Sequence, residues 1–157
     1  MLSLHPSKIF EPSLSHHFLT SFIFQGLPSP LDFAFQKING LTREVSVTPC
    51  SEGGENIRNN YLAEKIRHGS LILERGVMTL TPLTGVFESI MRGGKLVYAD
   101  VIIILLGENS LPVASWTLSN ALPVSWSTGD FDALTSKVLI NRLELRYQDL
   151  FWLGSKA

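Results

Sequence analysis

Apolar and polar residues alternate along the last third of the chain, and this alternation is the strongest structural signal in the sequence. One set of alternate positions holds Leu139, Asn141, Leu143, Leu145 and Tyr147, and the other holds Val138, Ile140, Arg142, Glu144 and Arg146. A period of two predicts a strand, because successive side chains leave a strand on opposite sides. The segment 111–150 therefore predicts two strands, a polar break at Ser127–Lys137 and one long final strand.

Shorter segments of the same type precede this one and predict a mainly β chain. They are His16–Gln25, Phe33–Ile38, Arg43–Thr48, Tyr61–His68, Ser70–Arg75, Lys95–Leu106 and Leu111–Asn120. Aromatic and β-branched residues fill most of them, as is usual in strands. The compact Gly107–Ser110 turn predicts antiparallel pairing of its two flanking strands. In contrast, Pro49–Asn60 is polar and rich in glycine, which predicts either a mobile loop or one that is ordered only by contact.

One segment, at about 82–92, has helical periodicity. Its apolar residues recur at spacings of three and four and form one stripe, which holds Leu83, Val86, Phe87, Ile90 and Met91. Thr79 or Thr81 can cap its start, Pro82 suits the first turn, and Gly93-Gly94 ends it. Many strands, short turns and a single flanking helix predict a small β-barrel or sandwich of antiparallel sheets.

The composition adds an expectation of self-assembly. The chain has 157 residues with a net charge of -1, which suits one domain over 1–157 with an extended arm at 1–15. Charged residues make up 17% of the chain, whereas about 25% is usual. A small domain has much surface for its volume, so a shortage of charge predicts that another chain covers part of it. The net charge gives no drive for nucleic-acid binding.

No pattern typical of an enzyme, a metal site or a membrane span is present. The histidines at 5, 16, 17 and 68 lack metal-ligand spacing, and Cys50 is the only cysteine. Asp130 and Asp132 have few oxygen neighbours, which favours a turn over a cation site. Gly93-Gly94-Lys95 lacks the serine or threonine of a phosphate loop. The apolar run Val101–Leu106 is too short to cross a bilayer, and the first ten residues lack a signal-peptide pattern.

Two motifs carry a resemblance to a known family. The first is Leu73-Glu74-Arg75-Gly76, and the second is the block W-x-L-x-N-A-x-P-V-x-W from Trp116 to Trp126. With the order of elements from Phe18 to Leu150, they resemble the tail tube proteins of contractile phage tails and related extracellular contractile injection systems. The family helix usually carries a tryptophan, whose packing here falls to Phe87 or Phe131. The arm before Phe18 is longer than in most members.

The resemblance implies two packed β-sheets flanked by a helix, in subunits that form hexameric rings. Such rings stack into a hollow inner tube within a sheath, and the lumen passes DNA or a protein payload. It further implies no enzyme activity, no cofactor, and sheath and baseplate proteins as partners. Assembly would take place in the cytoplasm of the producing cell, with the product in a phage tail or released particle.

Two groups of residues are candidates for functional sites. Those for contacts between subunits or rings are Ser51, Glu52, Gly53, Gly54, Glu55, Asn56, Arg58 and Asn59. Those for the lumen are Arg142, Glu144 and Arg146, which a solvated sheet face would explain equally well. Two rival functions remain. One is an adaptor ring at the end of the tube with the same fold, and the other is a monomeric β-barrel that binds an apolar ligand.

Overall fold

A computed structural model describes residues 17–29, 35–54, 57–76, 81–107, 109–137 and 139–154. The strands are β1 (His17–Phe24), β2 (Leu27–Ser29), β3 (Lys37–Asn39), β4 (Arg43–Cys50), β5 (Asn60–His68), β6 (Ser70–Arg75), β7 (Ala99–Leu106), β8 (Pro112–Thr128), β9 (Asn141–Arg146) and β10 (Asp149–Gly154). The helix α1 spans Pro82–Met91. The predicted arm at 1–15 lies outside the described residues.

Eight of the strands form one antiparallel sheet in the order β2-β1-β7-β8-β9-β6-β3, with β10 also paired to β8. The two remaining strands, β4 and β5, pair only with each other. The path of the large sheet ends at β2 and β3, so the described strands form an open sheet and not a closed barrel. The sandwich alternative of the predicted fold class is therefore the one confirmed.

The strand β8 is shared by two halves of the large sheet. Half A contains β2, β1, β7, β10 and the first part of β8, and half B contains the second part of β8, β9, β6 and β3. The sequence predicted two separate strands in this region. The structure instead has one strand of 17 residues with φ of 50° at Asn120 and a register shift between Pro123 and Ser125. These irregularities allow one strand to serve both halves.

A second break lies beside the one in β8. β9 ends at Arg146 and β10 begins at Asp149, so Tyr147 and Gln148 lie opposite the irregular part of β8. The Gln148 N–H donates to the Ser119 carbonyl at 3.0 Å, and the Asn120 amide donates to Gln148 Oε1 at 3.0 Å. The prediction of one continuous strand through this region was wrong, because the chain turns here from half B into half A. We call this region, Ser119–Ala121 with Tyr147–Gln148, the corner.

The core lies between the two halves and draws on both. Half A contributes Phe22, Val101 and Leu118, and half B contributes Leu71, Leu73, Leu143 and Leu145, all almost fully buried in one cluster. The alternation predicted for the final strand is confirmed along β9, because Leu143 and Leu145 are buried whereas Arg142 and Arg146 are exposed. Each buried leucine of this kind stabilises the fold by roughly 1.5–3 kcal/mol relative to an exposed one.

The helix α1 forms where the sequence predicts it. Thr81 caps it in a reciprocal arrangement with Thr84, Pro82 follows, and Gly93 with φ of 81° lies just beyond its end. Leu83 and Phe87 are buried, and the Phe87 ring meets the Trp126 ring edge-on at a centroid distance of 6.2 Å. Phe87 thus supplies the aromatic packing expected of the helix. Phe131, the other candidate for that packing, is 83% exposed.

Two predicted strands are shorter in the structure than in the sequence pattern. The strand predicted from Lys95 begins only at Ala99, since the four residues before it have no regular structure. The strand predicted at Phe33–Ile38 has its described part at Lys37–Asn39, and residues 33–34 lie outside the described residues. The neighbouring strands explain the difference, because a strand ends where its partner offers no further backbone groups to pair with.

Replacing Phe87 with alanine should show how strongly the helix is held against half B. We expect Phe87→Ala to lower the free energy of unfolding by about 3–5 kcal/mol, because it leaves a cavity beneath Trp126. Urea denaturation of the dilute monomer measures this. The control is Met91→Ala on the same helix, where the side chain is 42% exposed. An equal loss in both variants would contradict the proposed packing.

Candidate assembly surface

The hairpin of β4 and β5 projects from the sandwich and is exposed along almost its whole length. Within the described residues of β5, every side chain before His68 is exposed. In β4 only Ser46 is partly covered. A two-stranded hairpin without further support is at best marginally stable in water. The hairpin therefore has the form of an element that a partner completes.

Its strand register gathers apolar side chains on one face. Cross-strand partners share a face, and they include Val45 with Ile66, Val47 with Ala63 and Pro49 with Tyr61. Between Val45 and Val47 the register shifts, so β5 contains one more residue than β4 in this interval. That extra residue allows Ala63 and Tyr61, at odd positions, to join Ile66, at an even position. The remaining large apolar residue of β5, Leu62, pairs with Thr48 and lies on the opposite face.

The opposite face of the hairpin is mainly polar. Glu44 pairs with Arg67 across the strands, and the Thr48 hydroxyl donates to the Glu64 carboxylate. On the apolar face, in contrast, the side chains of Val45, Val47, Tyr61 and Ile66 are all about half exposed. A contiguous exposed apolar patch of this kind is unusual on a monomeric protein and marks an interaction surface. We call it the hairpin face.

The residues predicted for subunit contact lie at the tip of this hairpin. Ser51, Glu52, Gly53 and Gly54 are exposed, with a turn at the two glycines, and so are Arg58 and Asn59. Glu55 and Asn56 lie outside the described residues. Ile57, whose side chain is 96% exposed, was not among the predicted contact residues. An isoleucine within a polar, glycine-rich segment was the available signal.

A second exposed apolar loop lies at the opposite end of half B. The hairpin enters β6 at Ser70, whereas the loop from 129 to 140 leaves where β8 and β9 meet the other end of β6 at Arg75. The Gly129 N–H donates to the Ile140 carbonyl at 2.9 Å and closes this loop. Phe131 and Leu134 on it are 83% and 96% exposed. The molecule thus presents protruding apolar residues at both ends of one sheet half.

Asp132, one of the two acidic residues of this loop, has the turn role that was expected. The Asp132 carboxylate accepts a hydrogen bond from the Leu134 N–H at 2.9 Å. Hydrogen bonds from the Leu134 backbone and the Thr135 side chain lower the pKa of Asp132. In the part of the chain that the structure describes, no group of three His, Cys, Asp or Glu residues lies close enough to hold a metal ion. No helix among the same residues is long and apolar enough to cross a membrane.

The last described strand, β10, is also exposed. It pairs with β8 along one edge, from Asp149 opposite Ser119 to Gly154 opposite Ala114. Its side chains Phe151, Trp152 and Leu153 are more than half exposed. An exposed, apolar edge strand is a template for pairing with another chain. These three residues were not among the predicted contact residues, although three consecutive large apolar side chains could have indicated an exposed contact strand.

The three candidate lumen residues share the outer face of half B. Arg142 lies opposite Glu74 on β6, and Glu74 lies opposite Lys37 on β3. Lys37 Nζ is 3.9 Å from the Glu74 carboxylate, and the Arg146 guanidinium is 3.9 Å from the Glu144 carboxylate. Charges of opposite sign therefore alternate across this face. Exposed pairs at such distances contribute little to stability, so the face is polar without being a structural requirement of the monomer.

The root of the hairpin is held by a group of contacts at the corner. The Tyr147 hydroxyl is 3.0 Å from the Gly40 carbonyl oxygen and 3.1 Å from the Thr42 carbonyl oxygen. Its ring packs against the ring of His68 at a centroid distance of 5.4 Å. Burial raises the pKa of the Tyr147 hydroxyl above its ordinary value, whereas backbone hydrogen bonding at Thr42 and Gly69 and the charge of Arg43 lower it.

An open β-sandwich with a projecting apolar hairpin and an exposed edge strand is the structure of a subunit that other chains complete. The model of the family described as T4-like virus tail tube protein gp19 matches residues 14–150 of this chain. Because the match spans most of the sequence, the chain belongs to this family. It is therefore a component of a contractile tail or a contractile injection particle.

Three solved structures show how far the likeness extends. A chain of the cryo-EM structure of the anti-feeding prophage (AFP) baseplate, 6-fold symmetrised, is 54% identical with a TM-score of 0.87, covering 94% of this chain and 99% of that one. A chain of the PVC sheath–tube complex, from an extracellular contractile injection system in the extended state, is 20% identical with a TM-score of 0.78, covering 98% and 100%. A chain of the AFP tube-terminating cap is 18% identical with a TM-score of 0.75, covering 92% and 93%. The last two show the fold alone. No curated protein matches the sequence.

The Tyr147 contacts predict a specific loss of stability at alkaline pH. Its folded pKa lies above the unfolded value of 10.0, so the stabilisation is complete below about pH 10 and is lost as the pH rises through the folded value. We expect the difference in free energy of unfolding between the natural chain and Tyr147→Phe to shrink between pH 8 and pH 11. Urea denaturation of both proteins at each pH measures it, and the titration of other groups cancels in the difference. A difference that does not change with pH would contradict the assignment.

Proposed function

We propose that this protein forms a six-membered ring of identical subunits at the baseplate end of the inner tube of a contractile injection particle. The observation that supports this position is the 54% identity with a chain of the AFP baseplate, over 94% of this chain and 99% of that one. Identity with chains of the sheath–tube complex and of the cap is only 20% and 18%. The ring of six follows the 6-fold symmetry of the baseplate structure.

The second candidate is the repeating subunit of the tube itself. The likeness in fold to a chain of the PVC sheath–tube complex, which covers 98% of this chain, favours it. Both candidates use the same fold and the same interfaces within a ring. They differ in the number of copies in each particle and in where the copies lie.

The open edges of the monomer support assembly into a ring. A ring is built from heterologous contacts, in which one surface of each copy meets a different surface of the next. The hairpin face and the exposed edge of β10 are two such surfaces on one chain. Covering the half-exposed valines, isoleucine and tyrosine of the hairpin removes apolar area from water, which is the usual driving force for association.

The two ends of half B support stacking of one ring on another. The hairpin tip with Ile57 lies towards one end, and the loop with Phe131 and Leu134 lies at the other. Two different apolar protrusions at opposite ends suit a head-to-tail contact between this ring and the next ring of the particle. Among the predicted contact residues, those that the structure describes, at 51–54, 58 and 59, would form a polar rim around Ile57 in this contact.

The outer face of half B is our candidate for the lumen wall. Arg142, Glu144 and Arg146 lie there among Glu74 and Lys37, so positive and negative charges alternate. A payload, whether DNA or protein, slides past a polar wall that holds no large field of one sign. Contraction of the sheath would then drive the tube and its contents through the target envelope, without any chemical step in this chain.

In this proposal the protein is structural and has no enzyme activity. Its partners are other copies of itself and the sheath and baseplate proteins, with assembly in the cytoplasm of the producing cell.

The rival function, a monomer that binds an apolar ligand, needs an enclosed apolar cavity. An apolar cleft of about 260 Å³ does lie between the halves, lined by Phe18, Ile38 and Trp116 among others. The hairpin face lies outside this cleft, so the ligand-binding alternative leaves that face unexplained.

Counting copies separates the two candidates. We expect six copies in each particle, because a ring at the baseplate end occurs once. Quantitative mass spectrometry of purified particles with isotope-labelled peptides measures the ratio to the sheath subunit. A fusion tag on this chain, visualised by electron microscopy, should mark one end of the tube. Many tens of copies, or label along the whole tube, would favour the repeating subunit instead.

Replacing Ile57 with serine should weaken stacking without affecting the fold. The side chain is 96% exposed in the monomer, so the free energy of unfolding should change by less than about 0.5 kcal/mol. If a neighbouring ring buries Ile57, the loss is roughly 1.5–3 kcal/mol for each contact. Negative-stain microscopy of particles that carry the variant reports whether the tube still stacks on this ring. The control is Leu111→Ser, since Leu111 is 64% exposed but lies away from both ends of half B. Tubes of normal length in particles that carry Ile57→Ser would refute the contact.

A further inference from the structure

We propose that Tyr147 is a positioning residue that sets the direction in which the hairpin leaves the sandwich, so that its face reaches the neighbouring copy already oriented. This inference rests on the proposed assembly through the hairpin. Tyr147 does not lie on the hairpin face or at the tip. It acts on the contact between copies through the root, where both strands of the hairpin join the body of the protein.

One buried side chain contacts both chain segments at the root of the hairpin, which we call its two legs: the segment that leads into β4 and the segment that leaves β5. On the side that leads into β4, the hydroxyl lies between the carbonyl oxygens of Gly40 and Thr42, at 3.0 and 3.1 Å, so its one proton is shared between them. On the side that leaves β5, the ring packs against His68. Tyr147 itself is 7% exposed. Its position is therefore determined by the core and not by the hairpin.

The two legs lie in close contact at the root, and this contact couples the position of one leg to that of the other. The Gly69 N–H donates to the Thr42 carbonyl at 3.2 Å. Gly40 has φ of 92°, and a Cβ there would lie 1.7 Å from the Ser70 carbonyl oxygen. A Cβ at Gly69 would lie 2.3 Å from the Thr42 hydroxyl. Since the legs are locked together in this way, one anchor to the body is sufficient to orient the whole hairpin.

Further contacts place that anchor at the corner. The Arg43 guanidinium donates to the Leu150 carbonyl at 3.1 Å, and His68 Nε2 is 4.0 Å from the Asp149 carboxylate. Asp149 and Leu150 are the first two residues of β10, and only Gln148 separates them from Tyr147. The Asp149 side chain is 75% exposed, so its pair with His68 is weakened by solvent. Tyr147 provides the buried anchor of the group, and Arg43 and His68 support it.

The remainder of the hairpin has no support of its own. Beyond the root, β4 and β5 pair only with each other, so a small rotation at the root displaces the tip by a large distance. If the hairpin had no fixed direction in the free subunit, part of the binding free energy would be spent on ordering it at the interface. Tyr147 reduces this loss, because the hairpin is already held in one direction before the copies meet.

Removing the hydroxyl should therefore affect assembly more than it affects folding. We expect Tyr147→Phe to raise the critical concentration for assembly by about fivefold or more, the factor that corresponds to the net contribution of one hydrogen bond within each subunit. The matched control is Thr81→Ala, which removes the helix cap and destabilises the fold by a similar amount far from the root. It should leave the critical concentration near that of the natural chain.

A distance measurement tests the orientation directly. Cys50 is exposed, lies at the far end of β4 and is the only cysteine in the chain, so a spin label placed there reports on the hairpin. A second label at Glu88→Cys, on the exposed side of α1, reports on the body. Below the assembly concentration, we expect a narrow distribution of distances in the natural chain and in Thr81→Ala. The distribution should be clearly broader in Tyr147→Phe.

The two measurements separate the inference from the proposed function. An equally narrow distribution in Tyr147→Phe would overturn the role of the hydroxyl in orienting the hairpin. A broad distribution with an unchanged critical concentration would overturn its importance for assembly. If the natural chain failed to assemble at all, the proposed function would fall, whereas the distance distributions would still decide whether Tyr147 holds the hairpin.

Discussion

The corner, where β8 and the chain between β9 and β10 bend side by side, is the constraint on which the rest of the structure depends. Asn120 donates to Asp100 through its backbone and to Gln148 through its side chain, at 3.0 Å in each case. These contacts hold the bend that brings half A over half B and closes the core between them. The same bend places Tyr147 beneath the root of the hairpin. The core and the root of the hairpin are therefore held at one place.

The monomer that results is stable in its centre and incomplete at its edges. Phe22, Leu73 and Leu143 are buried between the halves, whereas the hairpin face, the loop with Phe131 and the strand β10 leave large apolar side chains exposed. A component that assembles with other chains in a contractile particle needs this division, because its contact surfaces must be apolar and yet separate from its own core. Charged residues make up only 17% of the chain, so few charged side chains are available to keep those surfaces hydrated when the protein is a monomer.

Residues with a strong local pattern were predicted well, and residues whose role depends on distant neighbours were not. The helix at Pro82–Met91, its cap at Thr81 and the two faces of β9 follow from spacing that a single element imposes. The prediction of two separate strands in place of β8 was wrong. The strand bends at Asn120 without ending there, and the residues that hold the bend, Asp100 and Gln148, are distant in sequence. The candidate contact loop lies at the tip of an exposed hairpin, but the apolar face beneath it depends on a one-residue register shift that no local pattern reveals.

By itself, the sequence determined that this is a β protein with one helix, little charge and two motifs of the tail tube family. The β class, the helix and the low charge follow from side-chain alternation, helical spacing and composition, which each segment carries on its own, whereas the family was inferred from the resemblance that the two motifs carry. Only the tertiary structure decided that one strand serves both halves, that Tyr147 holds the root of the hairpin and that apolar side chains protrude at opposite ends. Each of these depends on which residues meet across the corner, and pairing between distant strands is a property of the folded chain as a whole.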